Sequence, residues 1–168
     1  MKKKLVAIIA ILFLSFWAVK PLFAPGFIPV HDNAQVTRVF EMSKAIADGM
    51  FPVRFSQDLG FNYGYSLFNF YAPLAYYIGS LFHLIGFDVI VATKIMIGLG
   101  IIAAGISMFL LAAEFFGIAG GIIAGLLYVY APFHAIDNYV RGDITESWAY
   151  AFIPLVFWAA NKINSKVK

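Results

Sequence analysis

Apolar and polar stretches alternate along the chain so that four long apolar runs stand between polar connectors of very unequal length. The first run, Leu5 to Phe23, follows Lys2, Lys3 and Lys4 and extends about 28 Å as a helix, close to one hydrocarbon thickness. Its basic start also suits a secretory signal. No small-x-small site follows, however, and Lys20 with Pro21 breaks the tail, so the run reads as an uncleaved anchor. Val89 to Ala113, Ile118 to Tyr139 and Trp148 to Ile163 predict three further spans, and glycines at 117, 120, 121 and 125 mark a place of close helix packing.

The long connector, residues 24–88, has structure of its own. A helix is predicted over 34–48, with Asp32 and Gln35 at capping-box spacing and Gly49 placed to end it. Val36, Val39, Phe40, Ile46 and Ala47 share one face while Arg38, Glu41, Lys44 and Asp48 occupy the other, the pattern of a helix lying on a membrane surface. Residues 51–66 carry Pro52, Gly60 and Gly64 without a sustained period and read as an ordered loop. Residues 67–87 are long enough to span, but they are crowded with interface-favouring rings and interrupted by Pro73.

Charge decides between five spans and four, because lysine and arginine near span ends favour the cytoplasm. If 67–87 crosses, four such residues lie inside and six outside, against the rule. If it lies in the outer interface, six lie inside (Lys2, Lys3, Lys4, Lys162, Lys166, Lys168) and four outside (Arg38, Lys44, Arg54, Arg141). The expectation is therefore an all-α, multi-pass plasma-membrane protein. It has four spans, both termini in the cytoplasm, and an external loop carrying two surface or re-entrant helices.

Composition agrees with the lipid bilayer as the partner: 62% of residues are hydrophobic, 12% are charged, and mean hydropathy is +0.83. With no cysteine, a disulfide framework and a thiolate metal site are both excluded. The lysines cluster at the termini rather than along a stripe with interleaved aromatics, which argues against nucleic acid.

The chosen topology places two polar knots, His31-Asp32-Asn33 and the 138–148 stretch "NYVRGDITESW", on the same outer side. Asp32 either caps its helix or serves as a general base or cation ligand. Arg141, Asp143 and Glu146 either keep a short connector solvated or recognise a phosphate, for which a guanidinium is well suited. Lys94, six residues past Asp88, either snorkels to the interface or meets a phosphate; the snorkel is the favoured reading. His83 and His134 lack partners at metal-ligand spacing.

The order of these pieces resembles a known family. The anchor, the "HDN" at 31–33, the block "GFNYGYSLFNFYAPLAYYIGSLFHLIG" and the block "YAPFHAIDNYVRGDITESWAYAFIPLVFW" are similar to the N-terminal part of bacterial membrane proteins labelled 6-pyruvoyl-tetrahydropterin synthase-related. These in turn resemble C-type (GT-C) glycosyltransferases, multi-span enzymes that use sugars carried on polyprenyl phosphate. Pterin chemistry is not implied, since the chain offers no histidine cluster for the zinc it uses.

The resemblance implies sugar transfer at the outer face, with Asp32 and Glu146 as catalytic acids. They would converge on a pocket lined by Tyr63, Tyr65 and Arg141, with His31, Arg38 and Asp143 as further substrate contacts. Asp32 is the candidate ligand for a divalent cation, Mg2+ or Mn2+. Because such proteins carry more spans, the resemblance also implies a longer chain, with a missing C-terminal portion or a partner subunit. The alternative is a non-catalytic membrane subunit or an inactive fragment.

Overall fold

The structure, a computed structural model, describes residues 2–167, with side chains described to residue 164; Lys166 and Lys168 of the charge count lie outside those side chains. The described residues are helical and contain no strand, only an isolated bridge between Ser56 and Tyr65. The helices are α1 (Lys2–Leu14), α2 (Phe16–Val19) continuing into a 3-10 turn (Lys20–Phe23), α3 (Gln35–Ala47), α4 (Leu74–Leu84), α5 (Val89–Val129), α6 (Pro132–Ile136) with a π turn (Asp137–Arg141), and α7 (Ile144–Val167).

Although α5 has no connecting loop inside its range, it is two antiparallel arms. Gly117 breaks it at φ 70° and ψ −176°, in the left-handed half of the map, where a side chain would be strained. Beyond Gly117 the chain returns along itself. A Cβ at Gly125 would stand 2.8 Å from the Gly105 carbonyl oxygen, and one at Gly105 would stand 2.5 Å from Val129 Cγ2. In a straight helix residues 105 and 125 would be about 30 Å apart. The first arm covers the apolar run 89–113, whereas the second ends at Val129 and covers only the first part of the expected run 118–139, which α6 and the π turn complete after a break ahead of Pro132; the glycines let the two arms' backbones touch. Phe109, fully buried, fills the seam beside Ile11 of α1.

Charged side chains mark the two ends of the bundle. At one end Glu114, beside the reversal, meets Lys162 at 2.7 Å and Lys4 at 3.7 Å and accepts from the Trp158 indole at 3.3 Å. These contacts bring the start of α1 and the end of α7 together. The Lys162 ammonium beside it holds the Glu114 carboxyl below the usual carboxylate range. At the other end, residues 31 and 32 meet residues 140 and 141.

Among the described residues one run, Val89–Arg141, is long and apolar enough to cross a membrane, or two if the bent pair 2–23 is one span. That pair bends by 40°. Helix α7 extends four residues before the expected start of its run and there adds Thr145, Glu146 and Ser147, so it is more polar than the 148–163 run within it.

Bends in apolar helices free carbonyl groups that must find donors where water is absent. Here tyrosines supply them. Pro154, buried inside α7, has no N–H for the Tyr150 carbonyl, which accepts from the Tyr128 hydroxyl at 3.2 Å. The Ala18 N–H turns to Ser15 at the first-helix bend, and the Leu14 carbonyl so released accepts from Tyr130 at 2.6 Å. The Ala18 carbonyl, just before Pro21, accepts from Tyr139 at 2.5 Å.

Helices α3 and α4 differ from expectation in two respects. The helix expected over 67–87 is a 3-10 turn (Leu67–Asn69) followed by α4, because Pro73 stands at the N-cap of α4 and the chain before it cannot join the helix. Helix α3 does not present its polar face to water. Arg38 and Glu41 are buried and Phe40 is exposed, because partners cover the charges: Glu41 accepts from the Ser56 hydroxyl and from the Asp58 N–H at 3.2 Å, and Lys44 pairs with Asp58 at 2.6 Å. The loop 51–66 is thereby laid across α3. Its other face packs on α4, where Gly79 leaves room for Val39 and Met96.

Candidate functional site

The two polar knots are joined through their backbones. The His31 N–H donates to the Val140 carbonyl and the Asp32 N–H to the Arg141 carbonyl, each at 2.8 Å. Gly142 makes this approach possible. It is left-handed at φ 75°, and a Cβ there would stand 2.6 Å from Val30 Cγ2 and 2.9 Å from the Asp32 carbonyl oxygen. The Gly142 carbonyl accepts from Gln35 Nε2 at 2.6 Å, which ties α3 to the junction.

Asp32 is not the helix cap. The N-cap position of α3 is Ala34, with no side-chain cap bond, and Gln35 reaches the Asp32 carboxylate rather than its backbone N–H. Asp32 Oδ2 accepts from Gln35 at 3.1 Å and from Arg38 at 2.6 Å; Oδ1 has no protein partner among the described residues. The Arg38 side chain is 10% exposed, lies over the Tyr71 ring at 4.3 Å and approaches the Tyr76 oxygen at 3.4 Å. Burial works to lower the Arg38 pKa, but the hydrogen bond it donates to Asp32 and the influence of Tyr76 outweigh it and leave it raised. Burial pushes the Tyr76 phenol up to about 12, against the pull of Arg38. Tyr76 is therefore a neutral donor at physiological pH, and it donates to Gln35 Oε1 at 2.9 Å.

Across the junction, Arg141 gathers acids. It pairs with Asp137 one helical turn back, with Glu146 at 3.0 Å and with Asp143 at 3.5 Å, and the Glu146 hydrogen bond leads the causes that raise its pKa. Its side chain remains 45% exposed, so the guanidinium is anchored yet reachable. Asp143 Oδ1 accepts from the Glu146 N–H at 3.1 Å, an N-cap contact that starts α7 before its apolar run. The Tyr150 hydroxyl lies 2.5 Å from Asp137 Oδ2 and 3.0 Å from Glu146 Oε1. His134 stacks on the Tyr150 ring at 4.2 Å.

The structure thus brings Asp32, Arg38, Arg141, Asp143 and Glu146 to one end of the bundle. His31 takes part through its backbone only. Tyr63 and Tyr65 stand on the loop tied to Glu41, Tyr63 almost fully exposed, and neither hydrogen-bonds to Asp32, Arg141 or Glu146. Sequence reasoning missed Tyr76, Asp137 and Tyr150. Two of these carried a local signal, since Asp137 precedes Arg141 by four residues and Tyr150 follows Glu146 by four.

The donor set does not fit a divalent cation. No three His, Cys, Asp or Glu side chains converge for one among the described residues, and Arg38 already balances Asp32.

Long apolar helices, hydroxyl-capped bends and charges confined to the ends define a helical membrane protein. The chain belongs to the 6-pyruvoyl-tetrahydropterin synthase related family: residues 68–168 match the family's domain, which is described as a membrane protein. A relative from Lactococcus lactis subsp. cremoris (strain MG1363), called an uncharacterized protein, is 27% identical over 165 residues, covering 94% of this chain. The chain spans 27% of that relative's length. No solved structure matches.

Proposed function

We propose that the chain is the N-terminal module of a GT-C type membrane glycosyltransferase, moving a sugar from a polyprenyl-phosphate carrier to an acceptor at the non-cytoplasmic face. The observation that supports this reading is the backbone junction of residues 31 and 32 with residues 140 and 141, which brings the segment carrying Asp32, with its free Oδ1, to the segment carrying the half-exposed Arg141. In the reaction the acceptor hydroxyl gives its proton to Asp32 as its oxygen bonds the sugar's anomeric carbon. The bond from that carbon to the carrier phosphate breaks, and the phosphate leaves with the electron pair. Arg141 takes up the phosphate's charge while Glu146 holds the guanidinium in place. No step passes through a metal.

In the protein's full-length context, Asp32→Asn should lower transfer about a hundredfold, the scale of a lost general base, with the KM for the carrier nearly unchanged. Arg141→Met should chiefly raise that KM. Wild-type turnover in the Asp32 variant, with folding verified by thermal midpoint, would leave Asp32 a structural brace and favour a non-catalytic subunit.

The same reading has four spans, made by 2–23, the first arm of α5, the second arm together with α6 and the π turn, and α7, with α3 and α4 at the outer face and both termini in the cytoplasm. The Lys4–Glu114–Lys162 cluster supports it, since it gathers the charged ends of three helices on the side opposite the junction. A cysteine replacing Tyr63 should react with an impermeant reagent in intact cells, and one replacing Asn164 should be shielded. Equal labelling of both would overturn this topology.

A further inference from the structure

Away from the junction, a cleft of about 620 Å³ opens between the end of the bent first helix and the first turns of α5, within the range of about 300–1,000 Å³ usual for ligand sites. Its depth is apolar, lined by Leu22, Ile95, Leu99 and Ile102. Gly98 keeps the floor open, since even a Cβ there would come within 3.3 Å of Leu22 Cδ1. The charges of the lining are Lys94 and Asp88.

Both have capacity to spare. Lys94 Nζ donates to the Ala24 carbonyl at 2.5 Å and, among the described residues, has no carboxylate within ion-pair distance, so two of its three N–H groups lack a protein acceptor there. Asp88 accepts from the Ile90 and Val91 N–H groups through Oδ1 alone, which leaves Oδ2 without a protein donor. A cation and an anion therefore stand at the opening of an apolar slot at one end of a membrane helix.

We propose that this cleft binds one phospholipid with an ethanolamine headgroup, its phosphate on Lys94, its ammonium on Asp88 and one acyl chain along Ile95, Leu99 and Ile102. A purely anionic lipid would satisfy Lys94 but set its charge beside Asp88. The zwitterion matches both signs. Lys94 lies six residues past Asp88, about 9 Å along the helix, and its stem carries the ammonium back toward the headgroup level. The site depends on residence in a bilayer and not on sugar transfer.

Native mass spectrometry of the 168-residue chain released from detergent, with phosphatidylethanolamine, phosphatidylglycerol and undecaprenyl phosphate as competing probes, tests the assignment. Phosphatidylethanolamine should be retained over phosphatidylglycerol by about fivefold or more, and Lys94→Gln should lower its occupancy about tenfold, the scale of a lost charge-assisted bond. Asp88→Asn preserves a good helix cap while removing the charge, and should abolish or reverse the preference. Leu99→Trp, which fills the apolar part and leaves both charges, should also weaken binding. Unchanged retention in Lys94→Gln, stronger binding of phosphatidylglycerol by the wild type, or undecaprenyl phosphate binding that Lys94→Gln lowers, would overturn the proposal; undecaprenyl phosphate binding lost only in Arg141→Met belongs to the junction.

Discussion

Gly142→Val is expected to destabilise the protein by about 3 kcal/mol or more, combining the roughly 1–2 kcal/mol cost of a left-handed side-chain-bearing residue with the about 1–3 kcal/mol of overpacking. Neither contribution can relax easily. The left-handed turn at φ 75° directs the Gly142 carbonyl to Gln35, and the space a Cβ would need is held by Val30 and by the Asp32 backbone. Because those neighbours belong to the first knot, the substitution should also part Asp32 from Arg141 and abolish any activity that needs both. Gly142→Ala should lie between valine and wild type. Reversible unfolding in mixed micelles measures the series, and a valine variant as stable as wild type would show that residues 30–32 are not seated against the turn.

Arg38→Met is expected to cost about 2–3 kcal/mol. Removing one partner of a buried ion pair costs about 3–5 kcal/mol, and the 31% exposure of the Asp32 side chain reduces that penalty through solvent screening. Methionine keeps a flexible stem under Tyr71, so the loss reports the charge more than the packing. It leaves Asp32 with only the Gln35 amide and removes the donor that approaches Tyr76. The test is a cycle. Adding Asp32→Asn to Arg38→Met removes the uncompensated carboxylate and should recover much of the loss, giving a coupling above about 1 kcal/mol. Simple additivity would mean that the pair is not coupled energetically.

What could be read in advance follows from the range of the forces involved. The apolar runs are local signals, and they locate the bent first helix, both arms of α5 and most of α7. Pro73 and the glycines around 117 mark real breaks. By contrast, the polar face of α3 looks solvent-facing in sequence because Arg38 and Glu41 find their partners elsewhere: Tyr76 lies 38 residues from Arg38, and Ser56 lies 15 from Glu41. The loop 51–66 has no period because its order comes from those distant bonds. Charge counting alone places the two knots on one side and so allows them to meet; their contact is seen only in the structure. Its detail was not legible in advance, since Gln35 and Gly142 are separated by 107 residues. Asp137 was overlooked because it closes an apolar run and belongs by position to the helix, although its partners belong to the site.

The tyrosines that serve the bent helices also bear on the order of assembly. Leu14 and Ala18 are placed early in the chain, but the hydroxyls that satisfy their carbonyls lie 116 and 121 residues later. Until Tyr130 and Tyr139 arrive, a bend at Ser15 would leave those carbonyls bare in hydrocarbon, so a straight first helix is the cheaper state during early insertion. The 40° angle is therefore expected to be set late, when the segment after α5 that carries Tyr130 and Tyr139 docks. Because residues 31 and 32 follow that angle in the chain, their junction with residues 140 and 141 should form only once that segment is in place.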